Sequence, residues 1–86
     1  IARYGGEEFL ILFNDTSKED AYNLSKRIKS VVENSIFKYD DIEINITISI
    51  GIASLTSEID DMDKLIRKAD EKLYKAKRSG RNYISK

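Results

Sequence analysis

"IEINITISIGIASL", residues 42–55, is the stretch that decides the fold. Ile42, Ile44, Ile46, Ile48, Ile50 and Ile52 alternate with Glu43, Asn45, Thr47, Ser49, Gly51 and Ala53. Successive side chains of a strand point to opposite faces, so one face is all isoleucine and the other is small and polar. Ser49, Gly51 and Ala53 would let another backbone or a ligand approach closely. The alternation predicts one long β-strand with a buried isoleucine face.

On the N-terminal side, Ile1 to Tyr4, Gly5-Gly6 and Glu8 to Phe13 read as a β-hairpin, because adjacent glycines tolerate the positive φ of tight turns. Phe9 to Phe13 is apolar on both faces, which predicts a strand covered on both sides. Asn14 to Lys18 is a turn cluster. Thr16 and Ser17 are candidate N-caps, with Glu19 and Asp20 three residues on as in a capping box. Ala21, Leu24, Ile28 and Val31 or Val32 then mark one face of a helix ending near Asn34.

On the C-terminal side, Asp60 or Asp61 caps a second helix whose inner stripe is Met62, Leu65, Ile66, Ala69, Leu73 and Ala76. Gly80 stands where a C-cap glycine belongs, and Tyr83-Ile84 can form a short final strand. The order is β-β-α-β-α with a possible terminal strand. It is an α+β class in which two helices cover one face of a mainly antiparallel sheet.

Composition narrows the chemistry. The chain has 86 residues, enough for one small domain with a thin core. Its 15 basic and 15 acidic side chains cancel, so neither nucleic acid nor an anionic membrane surface is indicated as a partner. The chain contains no cysteine and no histidine, which excludes disulfides, thiolate metal sites and the commonest general base. Any metal would be a hard cation held by oxygens. No segment approaches the ~18 apolar residues of a bilayer span. The sequence opens at Ile1, inside an apparent strand and without methionine, as a fragment would.

The chemistry concentrates in "ARYGGEEF", residues 2–9. Glycines let phosphates or ribose lie against the backbone, and a glutamate at the turn can hold Mg²⁺, which favours one or two carboxylates plus phosphate oxygens and water. That combination suits phosphoryl or nucleotidyl transfer. By itself a Gly-Gly hairpin reads first as a solvated turn. The basic residues gather in the second helix and beyond, at Lys64, Arg67, Lys68, Lys72, Lys75, Lys77, Arg78 and Arg81. Cations there complement the dipole of a helix's last turns.

Three blocks in order change the weighing. "RYGGEEF" (3–9) resembles the signature of the GGDEF family, the bacterial diguanylate cyclase domain, in its GGEEF form. "ITISIGIA" (46–53) resembles the family's second core strand, and "ADEKLYKAKRSGRN" (69–82) its final helix and following loop. The resemblance runs over essentially the whole chain. It implies a ferredoxin-like, nucleotidyl-cyclase-like fold and a signalling nucleotidyltransferase that condenses two GTP into cyclic di-GMP. It also implies a head-to-tail homodimer, Mg²⁺ or Mn²⁺ as cofactor, and, from the substrate, a cytoplasmic location for the protein, with any membrane anchor in domains outside this sequence.

Position by position, the resemblance makes Gly5 and Gly6 the turn along the nucleotide. It makes Glu7 and Glu8 the catalytic carboxylates, Glu7 holding the metal and Glu8 supporting the site. Phe9 would anchor its strand in the core. Lys77 and Arg81 would bind the β- and γ-phosphates, although each in isolation also reads as a solvated helix-end cation. Asp70 and Tyr74 match positions that look structural.

The family domain is about twice this length. The resemblance therefore implies that residues 1–86 are the C-terminal part of one domain, inactive alone. A second metal aspartate, the guanine-recognising helices and an inhibitory Arg-x-x-Asp would lie upstream. The strand carrying that aspartate sits mid-sheet in the family. Without it, the hairpin strand and the isoleucine strand should have unpaired edges, to be joined to each other, covered by another chain, or covered by an N-terminal piece of the domain still bound. The alternative function is a non-catalytic module that binds GTP or cyclic di-GMP.

Overall fold

The computed structural model describes the backbone at residues 2–5 and all of residues 8–86. Eight elements run in the order β1 (Ala2–Gly5), β2 (Glu8–Leu10), α1 (Lys18–Glu33), β3 (Phe37–Tyr39), β4 (Ile42–Ile44), β5 (Ile50–Gly51), α2 (Met62–Arg78) and β6 (Ile84–Ser85). The α+β class with two helices and short strands is thus present, but the strands do not form one sheet. Among the described residues they make three pairs: β1–β2 and β3–β4 antiparallel, β5–β6 parallel.

Both helices begin and end as their sequences dictate. Ser17 Oγ accepts from the Asp20 N–H at 3.1 Å, and Asp61 Oδ1 accepts from the Lys64 N–H at 2.8 Å, each satisfying one orphan donor of a first turn. Asn34 caps the end of α1. Helix α2 ends at Ser79 in a Schellman turn. The Gly80 N–H donates to the Lys77 carbonyl at 3.4 Å, and the Arg81 N–H to the Ala76 carbonyl at 3.2 Å. Gly80 has φ 105, a conformation that glycine takes without a Cβ penalty.

The core is where β5 and β6 lie on α2. Ala76 is 0% exposed and Ile52 7%, and the Gly51 Cα faces the backbone of Ala69 and Leu73. Helix and strand approach this closely only because position 51 has no side chain. β6 is zipped to β5 by Ile50 N–H to the Tyr83 carbonyl at 2.9 Å and Ile52 N–H to the Ser85 carbonyl at 2.8 Å. Helix α1 packs along β6, burying Ser25, with the Lys86 ammonium 3.9 Å from the Tyr22 ring centroid.

Three expectations are corrected here. The isoleucine stretch is not one strand: residues 42–44 pair with 37–39 across a turn in which Asp40 has φ 55, and only Ile50-Gly51 pairs with β6. Alternation fixes the faces of a strand but supplies no ladder partner, and residues 45–49 have none among the described residues. Phe9 is 66% exposed rather than a core anchor, and β2 stops at Leu10, leaving Ile11, Leu12 and Phe13 in irregular, exposed chain. Of the ways offered for covering the exposed edges, joining the hairpin strand to the isoleucine stretch is not seen among the described residues. The accessible surface is accordingly 6766 Å², against about 5,200 Å² for a compact monomer of this mass. None of the described helices is long and apolar enough to cross a membrane.

The loop after α2 is tied to α1. The Asn82 side chain, and then the Lys29 ammonium at 3.5 Å, hold the Glu33 carboxyl below the usual carboxylate range, against a smaller opposing effect of desolvation.

Two predictions follow from these contacts. Gly51→Ala puts a methyl group against the α2 backbone and should lower folding stability by about 1–3 kcal/mol in urea denaturation; an unchanged midpoint would contradict the packing. In carboxyl NMR, Glu33 should titrate below the ~4.3 of a free glutamate and return toward it in Asn82→Ala. Since the folded value is depressed, this contribution is present above the unfolded pKa and lost as pH falls through the folded one. A Glu33 titration unaffected by Asn82→Ala would refute the tie.

Candidate nucleotide site at the end of α2

The side chains singled out from sequence come from two ends of the chain, and the fold brings two of them into contact. α2 lies along β5 and β6 with Leu73 and Ala76 turned inward, which directs the Lys77 side chain in its last turn toward β2. There the Lys77 ammonium donates to Glu8 Oε2 at 3.2 Å, an ion pair linking residues 69 apart in sequence. Both side chains are partly buried, at 28% and 32% exposure. Glu8 opens β2 and stands opposite Gly5 in the β1–β2 register, just beyond an irregularity between Arg3 and Gly5. An ion pair this accessible contributes only about 0–1 kcal/mol net. Its importance is therefore geometric: it ties the hairpin to the end of the helix.

Arg81 follows the Schellman turn, with its side chain exposed. Its φ is 64 and that of Asn82 is 49, so Gly80, Arg81 and Asn82 form a run of left-handed residues. Asparagine tolerates that region, whereas arginine holds it at a cost of about 1 kcal/mol.

Gly6 and Glu7 lie outside the described residues, so the carboxylate expected to hold the metal has no described position. Among the described residues no group of three or more acidic side chains could hold a metal ion, and Glu8 is engaged by Lys77. The described donors do not by themselves fit a complete divalent-metal site.

Two of the other six cations on α2 form ion pairs with nearby carboxylates, and a third lies over an aromatic ring. Lys64 meets Asp60 at 2.9 Å and Asp61 at 3.9 Å, Lys68 meets Glu71 at 3.2 Å, and the Arg78 guanidinium lies 5.7 Å from the Tyr74 ring centroid. Lys72 is held below the usual lysine value by Lys75 first, then by desolvation, Lys68 and Lys18. Asp70 and Tyr74 are exposed. Sequence reasoning proposed Glu8 and Lys77 separately and missed their pairing. It also missed Glu33 and Asn82, for which no local signal exists.

A family model for the "Diguanylate cyclase, GGDEF domain" matches residues 1–83. Diguanylate cyclase A of Treponema denticola is 40% identical over 84 residues, which cover 98% of this chain and 23% of that protein. Response regulator PleD of Caulobacter vibrioides is 42% identical over 84 residues, covering 95% of this chain and 18% of that protein. Diguanylate cyclase DgcZ of Escherichia coli is 35% identical over 82 residues, covering 95% and 27%. The chain thus spans between 18% and 27% of the length of these relatives. With a match that runs from the hairpin through the loop after α2, the chain belongs to the GGDEF family of diguanylate cyclase domains.

Proposed function

We propose that the protein carrying this chain is a diguanylate cyclase, condensing two GTP into cyclic di-GMP with release of two pyrophosphates. The observation that supports this most directly is the contact between two motif blocks: Glu8 of the GGEEF hairpin and Lys77 of the last helix meet at 3.2 Å. We take their contact as the ground on which a triphosphate would be held.

The physical chemistry of that ground is consistent with the reading. The C-terminal end of a helix is electronegative and would repel a phosphate. Lys77 and Arg81, placed at that end, offset the repulsion, the first as a point charge and the second as a fork that can grip two oxygens. The Schellman turn already occupies the Ala76 and Lys77 carbonyls with backbone N–H donors. Gly5 and Gly6 would admit the nucleotide close to the backbone. Glu7 would supply one carboxylate to Mg²⁺ or Mn²⁺, with the remaining ligands coming from phosphate, water and groups outside these residues. Such an ion, when bound, would orient the phosphates and neutralise charge developing on them.

Joining two identical substrates needs each 3′-hydroxyl oxygen to attack the α-phosphorus of the other GTP. A phosphodiester bond forms as the bond to pyrophosphate breaks, and the step occurs twice. A two-fold homodimer with one GTP per domain satisfies that symmetry.

The full-length protein tests the reading. Given GTP and Mg²⁺ it should form cyclic di-GMP, and Glu7→Gln should reduce turnover by more than about 100-fold, since even outer-shell changes at metal sites cost about 10–100-fold. Undiminished turnover in Glu7→Gln would overturn the metal role. Arg81→Gly should act in two directions. Relief of the left-handed strain should raise stability by about 1 kcal/mol, while loss of the guanidinium should weaken GTP binding by about 10- to 100-fold. GTP affinity unchanged in that variant would remove Arg81 from the site.

A further inference from the structure

We propose that Glu8 is a positioning residue whose carboxylate holds the Lys77 ammonium in the orientation from which it meets the triphosphate. This rests on the reading of Lys77 as a phosphate contact and goes beyond it, because it assigns the placement of that lysine to a specific partner. Lysine is a flexible four-carbon chain with about 2 kcal/mol of rotamer entropy, so a free lysine at a helix end is a poorly organised phosphate ligand. Here the side chain is partly buried and its ammonium is fixed on Glu8 Oε2 at 3.2 Å. The ammonium has three N–H donors, and one engaged by Glu8 leaves two directed elsewhere. The anchor is itself well placed. Glu8 is the first residue of β2, held opposite Gly5 by the strand pairing, so the constraint on Lys77 comes from the hairpin that carries the motif.

Two pictures of this ion pair make opposite predictions. If Glu8 merely screened Lys77, or competed with phosphate for it, then Glu8→Gln would add one positive charge to the site and tighten triphosphate binding. If Glu8 positions Lys77, removing the charge frees the lysine and weakens binding despite the more favourable electrostatics. The geometry favours the second, because the two partly buried side chains come from elements fixed independently, β2 by its pairing with β1 and α2 by its packing on β5.

The test is calorimetric titration of the full-length protein and its variants with a non-hydrolysable GTP analogue in Mg²⁺, and with GMP, which lacks the β- and γ-phosphates. Glu8→Gln should weaken the analogue about two- to fivefold, the ceiling set by a pair worth about 0–1 kcal/mol, and leave GMP unchanged. In a Lys77→Met background Glu8→Gln should add no further loss, and Glu8→Asp should restore part of the affinity. Tighter analogue binding in Glu8→Gln, equal losses for analogue and GMP, or additive losses with Lys77→Met would each overturn the positioning role. If Glu8→Gln fails to fold, the exchange Glu8→Lys with Lys77→Glu keeps the pair. It should fold yet lose the analogue, and analogue binding at the original strength would overturn the proposal. Failure of the unmodified protein to bind the analogue would overturn the cyclase reading and the positioning role together. Binding that is indifferent to Glu8 would overturn the positioning role alone.

Discussion

Everything placed at the candidate site depends on how closely β5 lies against α2. Gly51 faces the backbone of Ala69 and Leu73, an approach that a single methyl group would prevent. That contact, with Ala76 fully buried beside it, fixes the rotation of α2 about its own axis. Once Leu73 and Ala76 point inward, the helical repeat turns Lys77 toward β2 and puts Arg78 with Tyr74 on the outside. The "SIGIA" segment therefore aims a cation that belongs to a different block of sequence.

The end of α2 gathers cations in the way helix electrostatics favours. A helix C-terminus favours cations, and three of the four basic groups near this one, Lys77, Arg78 and Arg81, are drawn into distinct environments: an ion pair, an aromatic face and an exposed left-handed loop. Helix capping uses Gly80 and the Arg81 N–H, which closes the turn on the Ala76 carbonyl, while the left-handed backbone at Arg81 costs about 1 kcal/mol. Glu33, at the end of α1, lies near enough to Asn82 of this loop for the Asn82 side chain to lower its carboxyl pKa.

The helices were legible because their signals are local. Ser17, Asp61 and Gly80 act on backbone groups within a few residues, and each does in the structure what its position implies. The strands were less so. Alternation at 42–52 placed Ile52 correctly inside, yet Ile42, Ile44 and Ile46 face solvent, because burial depends on what crosses the other side of the strand. The β3–β4 hairpin went unread although Asp40-Asp41 sits between two apolar runs, since the isoleucine pattern absorbed its second strand. Phe9 shows the same limit: an apolar side chain next to a motif does not bring its own covering layer. At the site, residue types were readable and contacts were not. Glu8 and Lys77 each carried a role, but a pairing across 69 residues is a property of the fold.

The proposed triphosphate-binding surface joins the hairpin to the end of α2. A crystal structure of the full-length protein with a non-hydrolysable GTP analogue and Mg²⁺ measures this directly. β- and γ-phosphate oxygens should then lie within hydrogen-bond distance of Lys77 Nζ and the Arg81 guanidinium, with Lys77 still bonded to Glu8. A triphosphate bound elsewhere, or one that reaches Lys77 only after the Glu8 contact is broken, would contradict it.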